Sequence, residues 1–171
     1  MRTPIPLVAL GLLASACAGD TSGGETDEWV VYAVLDTANF VYSQNVVGLP
    51  VGPQDVTADC PLGGTVRLFG ETSGEGGTSM DLELTFEDCA NIGTGYDVAL
   101  TGAATWSGTF RSTGYKALAT TSDSLTVAGT VDGDEGETEV DETCALAVTD
   151  RGQDGEVSVV SGEWCGREVY F

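Results

Sequence analysis

The longest regular pattern in the chain is an alternation of residue type that runs from Tyr96 to Arg111. One face of it is apolar or small: Tyr96, Val98, Leu100, Gly102, Ala104, Trp106, Gly108 and Phe110. The other face is mostly polar: Asp97, Thr101, Thr105, Ser107, Thr109 and Arg111. A period of two residues is that of a strand with one buried face, so we predict one long antiparallel strand. Gly102 and Gly108 lie on the apolar face, where a missing side chain lets the backbone bend, and they predict a curled sheet.

Shorter alternations of the same kind fill most of the chain after a loop at 50–53. Their apolar members include Val66 and Leu68, then Leu82, Leu84 and Phe86, then Leu125, Val127 and Val131, and finally Val140, Leu146 and Val148. Gly-rich or Asp-Gly turns separate them, and no strand–helix–strand alternation is present. We therefore predict a mainly β fold, a curled antiparallel meander of about seven to nine strands in a single domain at 26–171.

One segment, 26–47, follows a helical period instead. At helical pitch its apolar residues form one stripe: Val30, Val31, Val34, Leu35, Ala38, Val41 and Tyr42. Thr26 is a suitable N-cap, and Gly48 suits the end of a helix. The many β-branched residues favour a rival structure, a hairpin that turns at 36–39, but the helix better explains where the polar residues sit. We expect the helix to pack on the concave face of the sheet and to bury Val34, Ala38 and Val41.

The first sixteen residues have the layout of a signal peptide. Arg2 precedes an apolar run at 5–13, and small residues at 14–16 come directly before Cys17. The sequence Leu13-Ala14-Ser15-Ala16-Cys17 resembles the lipobox of bacterial lipoproteins. That resemblance implies that Cys17 carries the lipid and begins the mature protein, although Ala14 and Ala16 also suit ordinary signal-peptide cleavage.

The same resemblance implies a location and one partner. We expect residues 1–16 to be removed and 17–25, which is small, polar and Gly-rich, to act as a lipid-anchored flexible tether. Palmitate on Cys17 would hold the protein to a membrane. Since Ala18 rather than Asp follows the cysteine, the sorting rule of the lipoprotein family implies the cell outer membrane or the cell surface.

The chain has five cysteines, an odd number. Assigning Cys17 to a lipid leaves an even set that an oxidising compartment would pair: Cys60, Cys89, Cys144 and Cys165. The midpoint of the first two falls in a Gly-rich turn, and the midpoint of the last two falls between Asp154 and Gly155. We therefore predict two disulfides at the bases of two hairpins, Cys60 with Cys89 and Cys144 with Cys165.

The last hairpin also predicts a register. If Cys144 and Cys165 lie directly opposite each other, the register places Leu146 opposite Glu163 and Val148 opposite Ser161. If the turn has two residues, the cysteines fall at a non-hydrogen-bonded site, where the strands are close enough for a disulfide.

The first hairpin contains a conflict. Direct opposition of its cysteines would place Val66 opposite an acidic residue on the same face. A shift of one residue pairs Val66 with Leu84, or in the other direction with Leu82, and keeps apolar side chains together. We therefore predict a β-bulge or strand break between Cys60 and Thr65.

Charge excludes several kinds of function. The chain has 27 acidic and 6 basic residues, a formal net charge of -21, which excludes a nucleic-acid partner. Histidine is absent, and with it the Ser-His and Cys-His nucleophile pairs and imidazole zinc sites. An acidic turn opens with Asp-x-Asp spacing, which makes Asp132, Asp134 and Glu137 weak calcium candidates without a full EF-hand pattern. We expect no catalytic residue and no cofactor.

These observations predict a lipid-anchored domain with a non-catalytic binding or structural role. One alternative is a carrier of a hydrophobic ligand, because a curled sheet with a helix on its concave face looks like the periplasmic lipoprotein carriers. The two differ in whether the helix fills the concave face or leaves an apolar cavity there. A second alternative is an enzyme of unknown class that uses carboxylates.

Overall fold

A computed structural model describes residues 24–74, 79–110, 116–133, 136–152 and 158–171. The predicted leader, Cys17 and most of the tether lie outside the described residues. The elements are α1 (Glu25–Asn45), β1 (Gly52–Asp59), β2 (Gly63–Ser73), β3 (Ser79–Gly93), β4 (Tyr96–Phe110), β5 (Lys116–Val131), β6 (Thr138–Gly152), β7 (Val159–Trp164) and β8 (Arg167–Tyr170). The strands form one antiparallel sheet in sequence order, β1 to β8, and α1 packs on one face of it. The predicted fold class is confirmed.

The helix α1 covers almost the same residues as the predicted helix at 26–47, so the alternative prediction of a hairpin is wrong. It begins after Gly24, so Thr26 lies in the first turn and is not the N-cap. Acidic residues in that turn face the positive end of the helix dipole. The helix ends at Asn45, three residues before Gly48, whose φ of 92° continues the turn out of the helix. As predicted, α1 buries Val34, Ala38 and Val41.

The core lies between α1 and the concave face of the sheet. Its largest fully buried side chains are Trp164, Phe86, Leu68, Leu82, Leu84, Leu100, Leu125 and Leu146 from the sheet, and Val30, Val31, Val34 and Val41 from the helix. Tyr42 packs edge-on against Trp106, with ring centroids 5.2 Å apart. The helix therefore occupies most of the space that a hydrophobic-ligand carrier would leave open.

Irregular pairing and glycine let the sheet curl. Register shifts occur in four consecutive strand pairs, at Gly63/Thr65, Phe86/Cys89, Gly102/Thr105 and Ser122/Leu125. At Gly108, φ is 131°, and an added Cβ would lie 2.0 Å from the carbonyl oxygen of Ala117. The close approach of β5 to β4 therefore depends on the missing side chain, as the glycines on the apolar face predict.

The first disulfide is confirmed, but Cys60 does not lie on strand β2 as the predicted pairing required. Cys60 and Cys89 are bonded, with Cα atoms 5.3 Å apart, and the predicted irregularity is present at Gly63/Thr65. Cys60 lies in the turn between β1 and β2, where its N–H donates to the carbonyl of Gly64, so it has no ladder position on β2.

Both registers predicted for β2 and β3 are therefore wrong, since the partner of Val66 lies two residues beyond Leu84 and four beyond Leu82. Val66 lies opposite Phe86, and Leu68 opposite Leu84. An even shift keeps the same side chains on the buried face, so the apolar pairing that motivated the prediction is preserved.

The second disulfide is also confirmed, with a register that differs by one residue. Cys144 and Cys165 are bonded, with Cα atoms 4.9 Å apart. Leu146 lies opposite Trp164 instead of Glu163, because β7 ends at Trp164 and Cys165 sits in the following turn with φ 53°. The one-residue difference exchanges the two faces of β7, which buries the indole completely. The predicted Asp154-Gly155 turn lies outside the described residues.

Candidate ligand-binding cleft

Beside α1, part of the concave face is left uncovered and forms a cleft of about 210 Å³. Its apolar wall consists of Leu35, Trp106, Leu118, Val160 and Phe171. Its polar groups are Tyr32, Asp36, Asn39, Lys116, Asp150 and Ser158. An apolar wall with a few convergent polar groups is the usual composition of a small-molecule site.

Asp150 is the residue that distinguishes this cleft from a packing defect. On β6 the buried apolar side chains are Val140, Leu146 and Val148, and Asp150 takes the next position of the same face. Its neighbours across the sheet are Leu118 on β5 and Val160 on β7. Asp150 is only 9% exposed, so the fold holds a carboxylate among apolar side chains.

The carboxylate of Asp150 is only partly satisfied. The Nζ of Lys116 donates to its Oδ2 at 3.4 Å. Its Oδ1 is buried and has no hydrogen-bond partner among the residues that the structure describes. A buried acceptor without a donor costs about 1–3 kcal/mol. The Asp150 carboxylate at the edge of the cleft is therefore left with a single long hydrogen bond, the one from Lys116.

A buried network holds Asp36 at the wall of the cleft. The Tyr96 hydroxyl donates to Oδ2 of Asp36. Nδ2 of Asn91 donates to the Tyr96 hydroxyl and to Oγ1 of Thr37, each at 3.0 Å. Burial and the Asp36 carboxylate raise the pKa of Tyr96 well above its usual value, so at neutral pH this phenol stays protonated and acts as a donor. The network ties α1 to β3 and β4.

A second polar cluster clamps the start of α1 to the end of the sheet. Arg167 donates to both oxygens of Asp27, at 2.6 and 2.8 Å, and to Oε2 of Glu142 at 3.0 Å. Nε1 of Trp164 donates to the same Glu142 oxygen at 3.0 Å. The hydrogen bond to Asp27 raises the pKa of Arg167 further above its usual value. Every charge in this cluster has a partner within it, which indicates a structural role.

The metal candidates give no assembled site in the described residues. Asp132 and Glu137 are both exposed and border a shallow depression beside Asp97, while Asp134 lies outside the described residues. Calcium binding there stays a prediction. Glu142 lies close to Cys144 and Cys165, but both sulfurs are in the disulfide and cannot serve as thiolate ligands.

An aromatic and acidic depression adjoins the cleft. It is lined by Glu25, Glu28, Trp29, Tyr32, Thr94 and Phe171, and it shares Tyr32 and Phe171 with the cleft. The rings of Trp29 and Tyr32 meet edge to face, with centroids 5.6 Å apart. This depression therefore adds carboxylates and aromatic rings next to the cleft that Asp150 lines.

Asp150 was not among the residues that sequence reasoning selected, although the alternation of β6 contained the signal. An acid that continues an apolar face of a strand is expected to be buried and therefore to need a partner. Sequence reasoning did select Trp106 as part of an apolar face, and it is buried at the cleft wall.

No protein-family model, curated protein or solved structure matches this chain. In the described part of the chain, no helix combines the length and the apolar character needed to cross a membrane.

Proposed function

We propose that this protein is a lipid-anchored lipoprotein of the cell envelope whose domain binds a small ligand without transforming it. The observation that carries the binding role is the apolar-walled cleft with the buried, half-satisfied carboxylate of Asp150. The lipobox-like sequence before Cys17 supports the anchor and a location at the outer membrane or the cell surface.

The polar groups of the cleft favour binding over catalysis. The Asp36 carboxylate accepts from Tyr96, and the Asp150 carboxylate pairs with Lys116. Catalysis by paired carboxylates needs one of them to act as a proton donor and the other as a base or nucleophile. Two carboxylates that each hold a separate hydrogen-bond partner are better suited to act as fixed acceptors.

The size of the cleft favours a small ligand over a lipid. Val34, Ala38 and Val41 of α1 fill the centre of the concave face. The cleft itself has a volume of about 210 Å³, which is smaller than the roughly 300–1,000 Å³ typical of drug-sized sites. A long acyl chain would have to displace the helix, so this geometry supports the binding role over the carrier alternative.

A fragment screen by NMR tests the binding role. We expect at least one small aromatic fragment to shift the indole N–H signal of Trp106, since that ring lines the cleft. Ser158→Trp places a ring at the cleft and should abolish the shift. Ser73→Trp, a control on an exposed position of β2, should leave it unchanged. If neutral, cationic and anionic fragments all leave the Trp106 signal unmoved, the binding role is wrong.

Lipid labelling tests the anchor. In a bacterial host, radiolabelled palmitate should enter the wild-type protein, which should sediment with membranes. Cys17→Ser should take up no label and should be released in soluble form, because the thiol is the attachment point. Ser22→Ala, a change in the tether that keeps the cysteine, should behave as wild type. Absence of label from the wild-type chain would contradict the anchor.

A further inference from the structure

We infer that the ligand of the cleft is a small organic amine whose ammonium group pairs with the carboxylate of Asp150. This inference rests on the proposed binding function and goes beyond it by assigning the charge and size of the ligand. Three observations carry it: the unpartnered oxygen, the charge of the walls and the aromatic rings.

The first observation is the state of the Asp150 carboxylate. An ionised carboxylate only accepts, so its buried Oδ1 needs a donor. Lys116 reaches the other oxygen, Oδ2, at 3.4 Å, the long end of the hydrogen-bond range. Among the described residues no group donates to Oδ1, so the negative charge of this cleft-lining side chain is compensated only by the long contact with Lys116.

The second observation is the charge around that oxygen. Asp36 and Asp150 line the cleft with two carboxylates, against the single ammonium of Lys116. Glu25 and Glu28 line the depression beside it, and the whole chain has a formal net charge of -21. Such a field attracts cations and repels anions. A charged donor also makes a stronger hydrogen bond to a carboxylate than a neutral hydroxyl does.

The third observation is the wall that would hold the rest of the ligand. Trp106 and Phe171 border the same cleft, together with Leu118 and Val160. Aromatic faces attract an ammonium group, and the aliphatic side chains suit an apolar body. The cleft volume of about 210 Å³ suits a body of roughly one ring with a short arm. Phenethylamine has these features and serves as the probe.

The test compares three probes of similar shape at neutral pH: phenethylamine, its neutral counterpart 2-phenylethanol, and the anion phenylacetate. Titration calorimetry gives the affinities, and the indole N–H of Trp106 reports the site. We expect phenethylamine to bind at least about tenfold more tightly than 2-phenylethanol, since it alone brings a charged donor. Phenylacetate should not bind.

Variants locate the charge recognition. Asp150→Asn should weaken phenethylamine at least about tenfold and leave 2-phenylethanol unchanged. Asp141→Asn, the same change on the exposed face of β6, should have no effect. Lys116→Gln removes the resident cation from Asp150 and should tighten phenethylamine binding. If Asp150→Asn does not fold, Lys116→Gln and the comparison of the three probes still test whether the ligand is an amine.

The outcomes separate this inference from the proposed function. Equal affinities for phenethylamine and 2-phenylethanol, or binding that Lys116→Gln weakens, would overturn the amine assignment and leave ligand binding intact. If none of the three probes moves the Trp106 signal, the amine assignment is overturned, and the broader fragment screen then decides on the binding role.

Discussion

Replacing Val34 by aspartate is expected to lower the free energy of unfolding by about 3–4 kcal/mol, the cost of a buried unpaired charge. Val34 is 1% exposed and lies in the core between α1 and the sheet. The new carboxylate would either stay buried without a partner or force the helix away from the concave face. Denaturant unfolding followed by circular dichroism measures the loss.

A matched control separates burial from the chemical change. Phe40 lies on the same helix and is 43% exposed, so Phe40→Asp makes a similar apolar-to-acid replacement in solvent. It should change the free energy of unfolding by less than about 1 kcal/mol. Equal effects of Val34→Asp and Phe40→Asp would contradict the packing of α1 on the sheet.

Replacing Arg167 by methionine is expected to cost about 2–3 kcal/mol, because it leaves a buried acid without its cation. Asp27 is 7% exposed and receives two hydrogen bonds from Arg167, and Glu142 receives a third. The double variant Asp27→Asn with Arg167→Met should recover part of the loss, since the stranded charge is then removed. Thermal or denaturant unfolding of the three proteins measures both effects.

The ion pair between Arg67 and Asp55 provides the control. It has the same two-bond geometry, at 2.8 and 2.9 Å, but its side chains are 52% and 57% exposed. Arg67 lowers the pKa of Asp55, yet water screens a pair on the surface, so Arg67→Met should hardly change the stability. If Arg67→Met and Arg167→Met cost the same, burial is not what makes the Asp27 cluster important.

The parts of the fold that were predictable are those in which residue type and burial agree. Along β4 the apolar members are buried from Tyr96 to Trp106, so the alternation alone identified the strand and its inward face. Along α1 every member of the predicted helical stripe except Leu35 is buried, and Ala33 and Thr37 are buried as well. In both elements a single large hydrophobic face dominates the free energy, and its period is visible in the sequence.

The parts that were missed depend on contacts that no local pattern encodes. Strand β1 was not predicted as a separate strand because its inward positions include Gln54 and Ala58 and show no apolar alternation. Gln54 can be buried because its side-chain amide donates hydrogen bonds to Pro50 and Thr72. The two registers differ from prediction because Cys60 and Cys165 both lie in turns, which symmetry about a hairpin midpoint does not anticipate. Asp150 became a candidate only when the structure placed it in a cleft.

The sequential order of the sheet has a consequence for how the protein is made. Each strand pairs only with its neighbours in the chain, and each disulfide joins two cysteines that follow each other among the four. With Cys17 lipidated as proposed, the other four cysteines, oxidised in the order in which they emerge during synthesis, form the native pairs directly, without reshuffling. The helix is different, since Asp27 meets Arg167 at a separation of 140 residues. The helix α1, which precedes all the described strands in the chain, can dock fully only after the hairpin of β7 and β8 has formed.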